Sequence, residues 1–250
     1  MGGSGRLTPL EEHLNLAGWP FFWSVLRMKK YIREHRYVLL VLYLPIYLIW
    51  FALVEHFIAS PDMCWESYIP LDDQIPFLPP FILAYVSWYP FLALPAIVLL
   101  VKEDRDAFIR YAAFIIAGFS ISLLICMIWP NCQNLRPAEV DTSNLFGFLI
   151  HAIYSADTNT NVLPSMHVVG CMAVVSACFD SRYLRKMRIP GLIWGVLICA
   201  STVFVKQHSI LDVFAGLALG AILDLAIYGV AKRKSPMRAK SGKKQAGAAE

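Results

Sequence analysis

The sequence predicts an all-α, polytopic membrane protein with six transmembrane helices, and three observations lead there. Of its 250 residues, 58% are hydrophobic and only 16% are charged, where a soluble domain carries about 25% charged residues. The mean hydropathy is positive, at +0.55. The charges cluster between apolar runs of about 20 residues, the length that crosses a hydrocarbon core of ~30 Å. The expected partners are therefore a membrane and what it dissolves, with no nucleic acid among them.

Residues 1–36 form the first segment, in which Trp19, Phe21, Phe22 and Trp23 precede Arg27, Lys29, Lys30, Arg33 and Arg36. Aromatics beside a basic cluster describe either an interfacial helix on an anionic leaflet or a solvated leader that sets topology. Residues 37–231 form the membrane domain, with spans expected at 37–59, 77–101, 107–129, 162–179, 190–205 and 210–231. Pro45, Pro90 and Pro95 fall inside the first two spans, where kinks are tolerable if neighbours satisfy the freed backbone groups. The tail, 232–250, is basic and then rich in Gly and Ala, the composition of a disordered segment.

Lys and Arg set the orientation. Six-helix topology places 20 of the 22 on one side, leaving only Arg136 and Lys206 on the other. The positive-inside rule makes the crowded side cytoplasmic, with both termini there, in a multi-pass protein of the cell membrane.

Two connections then lie outside. The first, 60–76, carries Asp62, Glu66, Asp72 and Asp73 and reads as a solvated cap. The second, 130–161, is long enough to hold an element of its own, and residues 144–154 read as a short helix at the outer interface. Cys64 and Cys132 both project outside, where an oxidising exterior permits a disulfide if their Cα atoms lie within about 7 Å. Cys126, Cys171, Cys178 and Cys199 fall in apolar runs and read as small packing residues.

The chemistry-bearing residues sit at the outer mouths of the helices. His208 precedes the last span and Asp212 lies one turn inside it, on the same face. A carboxylate at that depth is costly without a polar partner, and His208 is the nearest one. Pro164-Ser165-Met166-His167 opens another span in the same way. Arg136 and Lys206, the two outside cations, are within reach of these histidines, an arrangement suited to receiving an anion. Asp224, three turns below Asp212, reads as a structural hydrogen-bonding group.

Arg136-Pro137, Pro164-Ser165-Met166-His167 and Ser201-Thr202 followed by His208 and Asp212 resemble the three motifs of the type 2 phosphatidic acid phosphatase (PAP2) superfamily. Those motifs run Lys-x6-Arg-Pro, Pro-Ser-Gly-His and Ser-Arg-x5-His-x3-Asp. Trp129 stands where the first motif has Lys, and Thr202 where the third has Arg. These departures look like the branch of inositol phosphorylceramide synthases and related lipid phosphotransferases.

The resemblance implies an active site at the extracytoplasmic face and a lipid phosphate ester as substrate. It needs no metal and no cofactor. His208, Asp212 and His167 would be catalytic, with Arg136, Lys206 and Ser165 binding the substrate. The residues support the same chemistry. Arg136 can fork onto two phosphate oxygens, Lys206 can replace a lost cation, and Ser165 can donate at a helix mouth. His208 would attack phosphorus while Asp212 steadies the imidazolium, and His167 would serve the departing and arriving oxygens.

The acceptor is either water, making a phosphatase, or a lipid alcohol such as ceramide or diacylglycerol, making a phosphotransferase. A different class, a non-catalytic lipid-binding or transport protein, would also place ionisable residues in the membrane. A metal centre on His151, His167 and His208 is a third arrangement, but Asp212 fits better as an orienting group.

Overall fold

The computed structural model describes residues 34–57 and 63–229. The expected N-terminal interfacial segment, apart from residues 34–36, and the basic tail lie outside the described residues. The chain divides into two units, Met1–Val41 and Leu42–Glu250. In the first, residues 36–41 open a 3-10 helix, Arg36–Leu42.

The second unit is helical. Its helices are α1 (Tyr43–Phe57), α2 (Ile82–Val86), α3 (Trp88–Val101), α4 (Arg105–Ile128), α5 (Leu145–Ala156), α6 (Met166–Asp180), α7 (Arg188–Phe204) and α8 (Ile210–Asp224), which ends in a π turn, Leu225–Gly229. Five spans are long and apolar enough to cross a membrane: Arg36–Phe57, Pro79–Val101, Arg105–Ile128, Arg185–Phe204 and Ile210–Gly229. Leu44, Ile49, Ile193 and Phe214, on three of these, turn apolar side chains outward, as a hydrocarbon solvent requires.

The expected fourth span is shorter than the sequence implied. Helix α6 has 15 residues and starts at Met166 rather than 162. Pro164 biases Leu163 toward extended backbone, and Asn131 holds that stretch extended. Its Oδ1 accepts the Leu163 N–H at 2.8 Å and its amide donates to Leu163 O at 3.2 Å.

The second span is interrupted at Ser87. Pro90 has no N–H for the Val86 carbonyl, and its ring crowds that oxygen. The ladder therefore breaks between α2 and α3. Helix α5 falls where a short outer helix was expected, capped by Asn144, whose side chain accepts the Gly147 N–H at 3.0 Å. A Cβ at Gly147 would overlap the Asp141 backbone carbonyl, so only glycine fits.

Helix α6 is the axis of the bundle, packing against α3, α4, α7 and α8. Ten of its 15 residues are buried. Beside its N-terminus the connections that hold Cys64 and Cys132 are stitched together. β1 (Trp65–Glu66) runs parallel to β2 (Asn131–Cys132), and a disulfide joins Cys64 to Cys132 with Cα atoms 5.7 Å apart. Cys126, Cys171 and Cys178 are buried free thiols, while Cys199 is partly exposed. Asp224 accepts the Ser176 hydroxyl at 2.5 Å, the structural hydrogen bond expected of it.

Candidate active site

Helix α8 begins with a capping box that also builds the site. Ser209 is the N-cap; its hydroxyl accepts the Leu211 N–H at 3.1 Å, and Asp212 accepts the Ser209 N–H at 2.9 Å. The same Asp212 oxygen, Oδ2, lies 3.2 Å from His208 Nδ1. Asp212 is fully buried and His208 is 8% exposed. With Nδ1 turned to the carboxylate, Nε2 is the ring nitrogen left for the cavity beyond.

His167 enters from the first turn of α6. Its ring is held by Tyr85 and Trp88, each with its centroid 4.4 Å away. Trp88 Nε1 also donates to the His167 carbonyl at 3.1 Å. The His167 and His208 rings meet edge to face at 5.5 Å, and His167 Nε2 is buried without a partner among the described residues. An unpaired buried nitrogen of this kind is costly unless something comes to meet it.

Both rings line a cavity of about 180 Å3. His167, His208, Gln207 and Asp157 contribute its polar wall, and Tyr47, Phe51, Trp88 and Tyr89 its aromatic one. Pockets that enclose whole ligands run to about 300–1,000 Å3, and this one is smaller.

The three expected binding residues are placed differently. Arg136 stands behind the polar wall. It donates to Gln207 Oε1 at 2.5 Å and to the carbonyls of Asp157 and Thr158 at 2.9 and 2.7 Å, and its guanidinium stacks on Tyr154 at 4.4 Å. Burial lowers its pKa, and the Asp157 charge opposes that shift. Ser165 is buried at the mouth of α6, its N–H donating to Asp212 O at 3.1 Å, and its hydroxyl has no partner among the described residues.

Lys206 does not reach the cavity. It takes a left-handed φ of 53°, a conformation that costs a non-glycine residue about 1–2 kcal/mol. That backbone turn sends its ammonium the other way, to the carbonyls of Asp72 and Ile75 at 2.9 and 2.7 Å. Burial lowers its pKa, while Asp72 and Asp73 raise it. Lys206 thus pins the connection that holds Asp72 and Ile75 instead of filling the place of a missing cation.

Thr202, at the position of the third motif's Arg, is buried, and its carbonyl accepts the N–H groups of Gln207 and His208 at 2.9 and 3.1 Å. Trp129, at the first motif's Lys, packs on Trp65 at 5.1 Å. His151 is exposed and is not among the cavity-lining residues described.

Two carboxylates enter unannounced. Asp72, expected in a solvated cap, is 1% exposed. Its Oδ2 accepts Ser209 Oγ at 2.7 Å and Ile69 N at 2.9 Å, and its Oδ1 accepts Ile210 N at 2.9 Å. Asp73 and Glu66 do stay exposed. Asp157 follows the last residue of α5 and faces the cavity, where burial pushes its carboxyl up to about 6, against the favourable fields of His208 and Arg136.

Comparison with known proteins bears on the part of the chain that builds this site. A search of curated proteins and a search of solved structures each returned no match. The family model described as the PAP2 superfamily matches residues 111–236, just over half of the chain, taking in Arg136, Ser165, His167, His208 and Asp212. The chain belongs to the PAP2 superfamily.

Proposed function

We propose that this protein is a membrane-embedded lipid phosphatase or phosphotransferase working through a phosphohistidine on His208. One observation carries the reading. Two imidazoles from separate segments of the chain meet edge to face at 5.5 Å and line one cavity, and one of them is backed by a buried carboxylate.

In the first step His208 Nε2 attacks phosphorus, and the ester P–O bond breaks. Protonated His167 delivers the proton on Nε2 to the departing oxygen. Asp212 holds the Nδ1 proton and stabilises the positive charge that the bonded ring acquires. In the second step His167 takes a proton from water or from a lipid hydroxyl. That oxygen attacks phosphorus, the P–N bond breaks, and His208 is restored.

Arg136 neutralises the phosphate by exchanging its carbonyl partners at Asp157 and Thr158 for phosphate oxygens. The Ser165 hydroxyl and the Gln207 amide, both without a partner among the described residues, are the neutral donors. Trp129 and Thr202 in place of two family cations favour a substrate with one negative charge, a phosphodiester, and with it the inositol phosphorylceramide synthase-like branch.

The same proposal counts α6 as a sixth crossing, its outer end cut short by the extended stretch that opens onto the cavity. It sets the site at the extracytoplasmic face of the cell membrane with both termini inside. The Lys and Arg distribution supports that orientation. So does the Cys64–Cys132 disulfide, because such bonds persist in oxidising compartments.

The test uses purified protein in mixed micelles with two probes: phosphatidic acid alone, and phosphatidylinositol with ceramide or diacylglycerol. Turnover of the first to inorganic phosphate marks a phosphatase, and transfer in the second marks a phosphotransferase. His208→Ala should lower turnover by several orders of magnitude and abolish the acid-labile phosphoprotein. Parental turnover of both probes by His208→Ala would end the assignment.

A further inference from the structure

The family match begins at residue 111, yet the buried carboxylate behind His208 is held in part by a residue far upstream. Ser67 Oγ donates to Asp212 Oδ1 at 2.5 Å across 145 residues of chain, and both side chains are fully buried. The two carboxylate oxygens divide their duties. Oδ2 takes His208 Nδ1 and the Ser209 N–H, whereas Ser67 is the hydrogen-bond partner described for Oδ1.

A carboxylate bonded through one oxygen can still rock about its Cβ–Cγ bond. Bonded through both, it presents a fixed lone pair to the imidazole. Ser67 is itself immobilised: its N–H donates to Cys132 O at 2.7 Å, and it directly follows β1, which is paired with β2 and tethered by the disulfide.

We infer that Ser67 is a positioning residue of the reaction, acting through Asp212 to hold the His208 ring on line for attack. The first outer connection therefore completes the catalytic apparatus from outside the segment that carries the family motifs. The inference rests on the assignment of His208 and Asp212 under Proposed function.

Its test is a double-mutant cycle on the intact protein, using whichever of the two lipid probes the parent turns over. Losing a hydroxyl donor to a buried charged acceptor corresponds to about 10- to 100-fold in rate. Ser67→Ala should lower kcat by that factor with KM within about twofold, because Ser67 is not among the cavity-lining residues described. In the Asp212→Asn background the same change should cost less than about twofold, since the oxygen it orients has lost its role. Ser67→Thr, which keeps the hydroxyl, should recover most of the rate.

Parental kcat for Ser67→Ala, or an equal loss with and without Asp212→Asn, would overturn the inference. If Ser67→Ala does not melt cooperatively, Ser67→Cys keeps the size, weakens the donor, and is read the same way. Parental kcat for Asp212→Asn alone would instead break the underlying mechanism, an outcome separable from the behaviour of Ser67.

Discussion

Replacing Asp72 by Asn tests whether the first outer connection is a structural part of the site. The buried carboxylate accepts two backbone N–H groups, from Ile69 and Ile210, one at each oxygen, together with the Ser209 hydroxyl. Asparagine has a single acceptor oxygen. If that oxygen takes the Oδ2 position, the amide faces the Ile210 N–H. If it takes the Oδ1 position, the amide faces the Ile69 N–H. One buried N–H is stranded either way, at about 1–3 kcal/mol. Loss of a negative charge at the N-terminus of α8 adds about 0.3–1 kcal/mol.

A total of about 1–4 kcal/mol corresponds to a fall in Tm of roughly 3–15 °C for a domain of this size. Thermal melting of the detergent-purified protein, followed by circular dichroism, measures it. Asp73→Asn is the control, because its exposed carboxylate bonds to the Tyr68 hydroxyl at the surface and should cost less than about 0.5 kcal/mol. If Asp72→Asn melts no lower than Asp73→Asn, the connection is only the solvated cap that its composition suggests.

Two further outcomes are expected. Asp157 binds a proton more tightly in the folded protein than in the unfolded chain, because burial raises its carboxyl to about 6. Its ionisation therefore erodes stability as pH rises through that value. Asp157→Asn should accordingly match the parent near pH 3.5 and melt above it near pH 7.5, and a difference in Tm that is flat across this range would contradict the raised value. A Cβ at Gly216 would sit 2.9 Å from both Ser165 O and Val168 Cβ, so Gly216→Ala should force α8 away from α6 at a cost of about 1–3 kcal/mol. Phosphate release and Tm should fall together, and parental values of both would show that the interface yields.

Local pattern carried the sequence reading a long way. The Pro-Ser-x-His stretch does open α6, and His208, just ahead of the α8 N-cap, does meet Asp212 in the first turn, because both depend on the backbone of a single helix end. The short helix read at 144–154 appears as α5. What escaped was non-local. Ser67 and Asp72 reach Asp212 and Ser209 over 145 and 137 residues, and nothing in a short acidic loop separates a carboxylate that will feed buried N–H groups from one that will meet water. Lys206 misled by proximity: two residues from His208 in the chain, it is turned away by a single backbone dihedral. Asp157 could not be placed until α5 had an end. The break at Ser87, by contrast, was already written in Pro90.

The size of the cavity has a consequence for how a substrate arrives. At about 180 Å3 it is smaller than cavities that enclose whole ligands, and one wall is made by Tyr47, Leu48 and Phe51 of α1, whose Leu44, Ile46, Ile49 and Leu53 are at least half exposed. On the proposed function, a lipid would bring only its polar end to this wall while its tails remain among their neighbours in the leaflet. Pulling a 16-carbon tail into water would cost on the order of 12 kcal/mol at ~0.8 kcal/mol per methylene, and leaving the tails in place avoids that penalty altogether. Turnover should then follow the mole fraction of lipid in the bilayer and ignore its bulk concentration.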